Sequence, residues 1–280
     1  MMNKKNAKPI AKIIKLATLL ALVVLLAFYF GKKPTLHANW KTQYQLQPTV
    51  TLKKDTIVIQ NYRDFRYATN GEIRNANYIT KEYSLSELKQ VWLGLSHFGR
   101  FGLAHAFASF EFSNGEFMVV SLEARLQKSH HHYNPFLGLF RHYTKTMIIG
   151  SEQDIVGLRS HIRKERLYLY RLTGSELQAK ALLLNFLRQA QFLNEEAEFY
   201  NTVSDNCLTG LLKESKQYRD WYDWIDYRIL LPGYADRLLF ENGNIASTVD
   251  FKATQTFSRV NPESTDIEAA DFSTKIRYSQ

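Results

Sequence analysis

The sequence predicts an α+β fold, in which a mostly antiparallel sheet is packed with helices, behind one N-terminal apolar helix. Three observations support this prediction: short runs of alternating apolar residues, a hairpin turn between two of them, and longer segments with apolar residues at helical spacing. The 280 residues are 45% hydrophobic and 14% aromatic. This composition supplies a sizeable core, and the length favours one domain with appendages.

The first 33 residues predict a cytoplasmic basic tip followed by a transmembrane anchor. Residues 16–30, LATLLALVVLLAFYF, carry no charge, and five lysines precede them. An excess of lysine before a span places the N-terminus inside and the bulk of the chain outside. The run is short for a spanning helix, but two preceding isoleucines extend it. A cleaved signal peptide is the alternative, with Leu36-His37-Ala38 as its best cleavage site.

The net charge of +9 belongs to the N-terminal part of the chain. Residues 1–54 contain ten lysines and no acidic residue, which leaves 26 basic and 27 acidic residues over 55–280. This balance argues against a nucleic-acid-binding domain, where basic residues cluster on the folded part. The lysine-, threonine- and glutamine-rich residues 34–54 predict a linker, residues 55–241 the folded domain, and the polar residues 242–280 a partly disordered tail.

Strand signals occur in three places along the domain. TIVIQNYRDF (56–65) begins with alternating apolar residues, and RLYLYRL (166–172) alternates throughout. Between them, residues 103–125 contain two strand-like runs that flank Ser113-Asn114-Gly115, a strong hairpin turn signal. These segments predict the strands of an antiparallel sheet, which needs helices or further strands on its apolar face.

Three segments predict helices. SLSELKQVWLGLSHF (84–98) has Ser84 three residues before Glu87, the spacing of a capping box. SELQAKALLLNFLRQAQFLNEE (175–196) has Ser175 as a plausible N-cap. Its apolar residues recur on one predicted face: Leu177, Ala181, Leu184, Leu187, Ala190. A third helix is predicted to start near Cys207 and to run to about residue 218.

Cys207 is the only cysteine of the chain and follows a polar turn. A lone cysteine forms no intramolecular disulfide, and in an oxidising compartment the remaining thiol suggests a reactive group or an intermolecular partner. If Cys207 lies in the first turn of a helix, the N–H groups of that turn favour its thiolate. The alternative is a buried structural cysteine, since free cysteines are among the most often buried residues.

His105, in the apolar run LAHAFASFEF, is the candidate base for such a thiol. A three-residue turn at Ser113-Asn114-Gly115 pairs His105 with Glu123 and puts both side chains on one face. A two-residue turn shifts the register by one and turns Glu123 to the other face. A core histidine satisfied by its neighbours is the simpler alternative.

Three further clusters allow more than one interpretation. His130-His131-His132 predicts a solvated loop, because consecutive histidines do not converge easily on one metal ion. A charged cluster beside aromatic residues predicts surface salt bridges or a headgroup or substrate contact: Arg63, Asp64 and Arg66. An aromatic run fits core packing or the bilayer interface: Trp221, Tyr222, Trp224 and Tyr227. No P-loop, dinucleotide-binding or HExxH motif is present, so no cofactor and no metal is expected.

Six motifs occur in an order that resembles a known family: NYRDFRY, AHAFASFEF, SLEARLQ, GLFRHY, ERLYLYRL and EFYNTVSDNC. Together they resemble the periplasmic domain of unknown function DUF4105, which is associated with the N-terminal domain of the lipoprotein N-acyltransferase of Bacteroides. The resemblance covers residues 56–215. It implies a papain-like fold of the permuted NlpC/P60 type, held at the periplasmic side of the bacterial inner membrane.

The resemblance also implies roles for residues of this chain. Cys207 is the expected nucleophile, His105 the general base and then acid, and Glu123 the group that orients His105. The N–H of Cys207 is a candidate oxyanion donor. Weaker candidates for substrate contact are Asn206, Ser109, Arg63, Arg66 and Arg125.

The implied reaction is acyl transfer through a thioester, from phospholipid to Cys207 and then to the α-amine of a lipoprotein's N-terminal cysteine. Phospholipid and lipoprotein are therefore the expected partners. The acyltransferase family carries further membrane-spanning segments after this domain, whereas this chain has one span, before it. Two alternatives remain: a cell-wall peptide amidase or peptidase of NlpC/P60 type, and a non-catalytic envelope protein that binds a lipid or partner.

Overall fold

The computed structural model describes residues 4–215 and 226–278, and its centre is a nine-stranded sheet. The described strands are β1 (Thr49–Lys53), β2 (Thr56–Arg63), β3 (Arg66–Tyr67), β4 (Ile73–Asn75), β5 (Tyr78–Ser84), β6 (Leu88–His97), β7 (Ala104–Phe112), β8 (Phe117–Arg125), β9 (Tyr143–Gly150), β10 (Arg166–Arg171) and β11 (Phe199–Tyr200). Seven follow the order β1-β2-β9-β8-β7-β6-β10, while β5 pairs with β2 and β11 with β9. Every pair in this sheet is antiparallel except the single parallel contact of β2 with β9.

Helices cover both faces of the sheet. They are α1 (Lys4–Gly31), α2 (Glu152–Gly157), α3 (Glu176–Glu195), α4 (Cys207–Ser215), α5 (Tyr227–Leu230), α6 (Ala235–Glu241), α7 (Phe251–Phe257) and α8 (Phe272–Tyr278). A π-helical turn, Leu158–Ile162, continues α2, and short 3₁₀ turns occupy Thr42–Tyr44, Leu85–Glu87, Leu137–Leu139 and Pro232–Tyr234.

Alternation along β7 separates two hydrophobic cores. Ala106, Ala108 and Phe110 belong to the larger core, which includes buried residues of α3, α4 and α6. Phe107 belongs to the second core, with buried residues of α2 and α8. Side chains of a strand point alternately to opposite faces, so β7 serves both cores. The predicted α+β class is confirmed, and its papain-like, permuted NlpC/P60 assignment stays a prediction.

The strands and hairpin predicted at 56–65, 103–125 and 166–172 are confirmed as β2, β7, β8 and β10. The helix predicted at 175–196 is confirmed as α3, and Ser175 forms a capping box with Gln178. Its buried face is rotated from the predicted one, because Leu177 is exposed while Leu183, Phe186 and Leu193 are buried.

The helix predicted at 84–98 is wrong. Ser84 ends β5 and forms no side-chain cap, and most of the segment is strand β6. Strand β6 lies inside the sheet between β7 and β10 and is buried on both faces. A strand buried on both faces loses the polar–apolar alternation, and its apolar residues then also fit helical spacing.

The linker predicted at 34–54 is in large part folded. Residues 49–53 form β1, which pairs with β2. Trp40 is buried, and the Arg125 guanidinium lies over its ring at 4.3 Å. Aromatic and backbone contacts therefore tie this segment to the domain.

The prediction of a partly disordered tail at 242–280 is also wrong for the described residues. Ile245 bridges to Leu172 at the edge strand, and α8 buries Phe272 and Ile276 in the second core. Arg277 forms a buried ion pair with Glu152 at 2.5 Å. A few well-placed apolar residues suffice to fix the polar segment on the sheet.

Helix α1 contains the predicted anchor. Residues 12–31 form one helix that is long and apolar enough to cross a membrane, and none of its apolar window is buried in the protein. Helix α4 begins at Cys207 as predicted, and its predicted end near residue 218 lies outside the described residues. Of the aromatic run 221–227, only Tyr227 is described, and it is exposed.

Candidate active site

A cleft of about 500 Å³ opens where β7 begins and β8 ends. Cys207, His105 and Glu123 all line it. Much of its wall is apolar, with six large side chains: Phe98, Leu103, Leu126, Leu158, Leu230 and Leu231. A concave, mainly apolar pocket with a few converging polar groups is typical of a ligand site.

Of the two turns considered for the β7–β8 hairpin, the structure has the three-residue turn. Phe112 donates to the carbonyl of Glu116 at 2.9 Å, and Gly115 has φ +83°, in the left-handed region that glycine adopts without strain. The pairing of β7 with β8 keeps this register as far as Ala108 and Val120. Continued to the cleft, the same register puts His105 and Glu123 on one face.

Ser121 stands between the two predicted partners. Nε2 of His105 lies 2.7 Å from Ser121 Oγ, and Ser121 donates to Glu123 Oε1 at 3.0 Å. The direct distance from Nε2 to Glu123 Oε1 is 3.6 Å. Because the Ser121 hydroxyl donates its hydrogen to Glu123, Ser121 Oγ accepts from the N–H at Nε2 of His105, and Nδ1 is then the unprotonated nitrogen.

Glu123 is held as a carboxylate by buried partners from distant segments. Arg159, in the π-helical turn, donates to Oε1 at 3.0 Å, and the Tyr44 hydroxyl donates to Oε2 at 3.0 Å. Burial raises the pKa of Glu123, but Arg159, His105, Arg63 and the Tyr44 hydrogen bond together outweigh burial and hold the pKa well below its usual value. The π-helical turn is thus placed at the cleft, where such turns are often found.

Cys207 is the first residue of α4, and the preceding residue caps the helix. Asn206 Oδ1 accepts from the N–H groups of Leu208 and Thr209, both at 2.9 Å. The Cys207 sulfur accepts from the N–H of Ala106 at 3.3 Å. Because Ala106 lies beyond the last β7–β8 pair, the sulfur sits where the two strands separate, one residue from His105.

Both candidate catalytic groups are neutral in this environment. Burial raises the pKa of the Cys207 thiol, and hydrogen bonds from Ala106 and Leu208 oppose the rise without cancelling it. Burial lowers the pKa of His105 to about 3, with a further contribution from Arg159. The N–H of Leu208 at the helix start favours the thiolate, as expected, but desolvation dominates and keeps the pKa of the thiol raised. Among the side-chain contacts that the structure describes, no hydrogen bond joins the His105 ring to Cys207.

Tyr200 is a site residue that the sequence analysis missed. Burial raises its pKa well above the usual value, and hydrogen bonding from the N–H of Cys207 acts in the opposite direction. Tyr200 likewise opposes the rise in the thiol pKa of Cys207 by hydrogen bonding. Its position in EFYNTVSDNC, seven residues before the cysteine, is the only sequence signal for it.

The weaker candidates divide between the cleft and other places. Asn206 and Arg63 line the cleft, although Asn206 is engaged as the helix cap and Arg63 pairs with buried Asp154 at 2.7 Å. Ser109 belongs instead to the buried pair of Glu152 and Arg277.

Arg66 and Arg125 also lie outside the cleft. Arg66 forms salt bridges with Asp64 and Glu268, as the surface salt-bridge interpretation of this charged cluster predicts. Arg125 donates to the carbonyl groups of residues 36, 44 and 45 and so fastens the segment before β1.

The three histidines at 130–132 lie in a loop, and His131 and His132 line the cleft. No group of three or more His, Cys, Asp or Glu side chains in the described part of the chain is arranged to hold a metal ion.

Comparison with known proteins identifies the family of this site. The family model of the Lnb N-terminal periplasmic domain matches residues 74–233, a range that contains His105, Glu123 and Cys207. No curated protein and no solved structure shows significant similarity to the chain. The periplasmic family and the apolar helix α1 together indicate a single-pass membrane protein. The chain belongs to the family of the Lnb N-terminal periplasmic domain.

Proposed function

We propose that the protein is a membrane-anchored, thiol-dependent acyltransferase or hydrolase that forms an acyl thioester on Cys207. The observation that carries the proposal is that Cys207, His105 and Glu123 line one cleft, with His105 and Glu123 joined through Ser121. A nucleophile, a base and a group that orients the base are the parts that nucleophilic catalysis needs.

The first step starts from the neutral thiol and the neutral imidazole. Nδ1 of His105 takes the thiol proton while the Cys207 sulfur attacks the carbonyl carbon of an acyl ester. The relay through Ser121 to Glu123 stabilises the imidazolium that forms. When the ester C–O bond breaks, His105 returns the proton to the leaving oxygen, and a thioester remains on Cys207. The step requires the His105 ring and the Cys207 sulfur to come within hydrogen-bond reach when substrate binds, because catalytic contacts are often long in apo sites.

The negative oxygen of the tetrahedral intermediate has two candidate donors at the start of α4. One is the N–H of Cys207, which the Asn206 cap does not use, because Asn206 Oδ1 binds the next two N–H groups. The other is the hydroxyl of Tyr200, which interacts with that same N–H. Donors that are already oriented toward the developing charge lower the barrier without reorganisation.

The chemistry of the cleft favours a lipid as acyl donor. Its apolar wall suits an acyl chain, and Lys41 lines it without a carboxylate partner among the described residues. A cation beside an apolar cavity is suited to a phosphate headgroup. Helix α1 holds the domain at the membrane, where phospholipid is concentrated.

The group that attacks the thioester in the second step decides whether the enzyme is a transferase or a hydrolase. An amine or water attacks the thioester carbonyl, the C–S bond breaks, and the thiol of Cys207 is restored by the proton of the attacking group. The family resemblance favours the α-amine of a lipoprotein's N-terminal cysteine as acceptor.

A non-catalytic lipid-binding protein is the second candidate. It is favoured by the deep burial of Cys207, which is 3% exposed, and by the raised pKa of its thiol. In that case the cleft holds lipid, and the thiol only fills space beside β7.

An assay of phospholipid turnover in vesicles distinguishes the two candidate functions, acyl-transfer enzyme and lipid-binding protein. The full chain is reconstituted with phosphatidylethanolamine, with or without a peptide that carries an N-terminal cysteine, and release of lysophospholipid is measured. We expect release from the wild type, and its loss in both Cys207→Ala and His105→Gln. Lipid binding without release by the wild type would support the binding protein, and release by Cys207→Ala would exclude the thioester route.

A further inference from the structure

A cluster of exposed apolar side chains lies beside the membrane anchor. The segment Phe136–Phe140, FLGLF, here called the apolar loop, exposes 66% of Phe136, 37% of Leu137 and 45% of Phe140. It contains a 3₁₀ turn, and the rings of Phe136 and Phe140 stack edge to face at 5.1 Å. Several large apolar side chains exposed together on a short loop mark an interaction surface.

The apolar loop is in contact with the end of the anchor helix. Lys32, just after α1, donates to the carbonyl of Phe140 at 3.0 Å. The guanidinium of Arg141 lies over the rings of Tyr29 and Phe30, at 4.9 and 5.1 Å. The last turn of a spanning helix lies at the bilayer interface, so these contacts put the apolar loop at the same depth.

The charge around the apolar loop matches a lipid surface. No acidic residue occurs from Leu126 to Ser151, while Lys128, Arg141 and Lys145 lie in that range. Lys145 is engaged by Glu198 and Asp205, which leaves Arg141 and the lysines after α1 nearest to the headgroups. Basic residues flanking an apolar surface are attracted to anionic lipids.

We propose that the apolar loop inserts into the interface of the bilayer that holds the anchor, as a second membrane contact of the domain. The occupant of this surface is lipid, because the loop already lies against the anchor that the same bilayer must surround. Two membrane contacts fix the orientation of the domain relative to the bilayer, which a single helix does not.

The apolar loop is also connected to the nucleophile. Gly138 lies against Thr202, where a side chain at 138 has no room, and the Thr202 hydroxyl donates to the carbonyl of Pro135 at 2.6 Å. Asn206, the cap of α4, donates to the carbonyl of Thr202 at 2.8 Å. Insertion of the loop therefore sets the distance of Cys207 from the lipid surface.

Spin-label accessibility tests the inference without any need for activity. The full chain carries Cys207→Ser and one label, either at Leu137→Cys or at Leu177→Cys, in vesicles of phosphatidylethanolamine and phosphatidylglycerol. Leu177 is 77% exposed and lies in the first turn of α3. Lys180, one turn further along, donates to the carbonyl of Ser86, and the adjacent Glu87 accepts from Ser113 in the turn of the β7–β8 hairpin. That turn is about 20 Å or more from His105 at the strand rise, which makes Leu177 a matched control.

On reconstitution, the accessibility of the label at Leu137 to a water-soluble nickel chelate is expected to fall at least about fivefold, and its accessibility to oxygen is expected to rise. The label at Leu177 is expected to show no change. A label at Phe136 repeats the test at a second exposed position. Equal nickel accessibility of the loop and control labels in vesicles would overturn the inference, whatever the chemistry of Cys207.

Discussion

Nε2 of His105 lies 2.7 Å from Oγ of Ser121, and this contact determines which ring nitrogen is available to the thiol. We predict that Ser121→Ala lowers the rate of phospholipid turnover by at least about tenfold with little effect on KM. The substitution removes the acceptor of the Nε2 proton, and Glu123, at 3.6 Å, is too far for a good hydrogen bond.

The control for Ser121→Ala is Ser109→Ala. Ser109 is equally buried and also bonded to a carboxylate, that of Glu152 at 2.5 Å, but it lies outside the cleft. Equal loss of turnover in both variants, or an unchanged rate in Ser121→Ala, would show that the relay does not orient His105.

The raised pKa of Cys207 gives a second prediction. Because the chain has a single cysteine, alkylation by iodoacetamide can be followed by intact mass in the unmodified protein. The reactive species is the thiolate, so the rate in the folded protein should rise about tenfold per pH unit from pH 6 to 9 without a plateau. A plateau below pH 8 would mean that the thiol is already ionised and would contradict the neutral resting state.

His105 gives a prediction for stability. Its pKa is about 3 in the folded chain, below the usual 6.5, so between these values only the unfolded chain binds the proton. The contribution of neutral His105 to stability is therefore full above pH 6.5 and is lost as the pH falls toward 3. The slope is at most about 1.4 kcal/mol per pH unit. Around the imidazole, Arg159, Arg163 and Arg63 oppose its protonation, while Glu123 favours it.

The check is urea unfolding of the full chain in detergent at several pH values, for the wild type and His105→Gln. Wild-type stability should fall more steeply with decreasing pH than that of the variant, which carries no titrating group at this position. Parallel curves would show that the imidazole protonates as easily in the folded as in the unfolded chain.

The ion pair of Arg277 with Glu152 predicts that the C-terminal helix is required for stability. Both side chains are fully buried, so Arg277→Met leaves an uncompensated carboxylate and should cost about 3–5 kcal/mol of unfolding free energy. Lys275→Ala, at an exposed pair with Asp271 in the same helix, should cost less than about 1 kcal/mol. Urea unfolding of both variants checks this, and equal small effects would show that α8 contributes little.

The elements that the sequence predicts correctly are those with a local signal. The hairpin follows from its turn residues, and α3 follows from Ser175 and the apolar spacing after it. The buried face of α3 was harder to predict, because its apolar residues cover more than one stripe of the helix. Only tertiary packing determines that Leu183 is buried and Leu177 exposed. Strand β6 carries no alternation because it is buried on both faces, so its pattern is ambiguous from sequence alone.

The catalytic candidates could be predicted, but their surroundings could not. The hairpin register places His105 and Glu123 together, whereas Tyr44 and Arg159 reach Glu123 from 79 and 36 residues away. Nothing in the local sequence marks such long-range partners. The sequence left burial of Cys207 open as an alternative, and that burial reverses the expected direction of the pKa shift of Cys207.

The account depends most directly on an acyl group carried by Cys207. The full chain is incubated with phosphatidylethanolamine, and the acylated peptide is located by mass spectrometry before and after neutral hydroxylamine, which cleaves thioesters and leaves amides intact. We predict one acyl chain on the peptide that contains Cys207, its removal by hydroxylamine, and no such adduct in Cys207→Ser. An acyl adduct of the same yield in Cys207→Ser, or its location on another residue, would contradict the thioester mechanism.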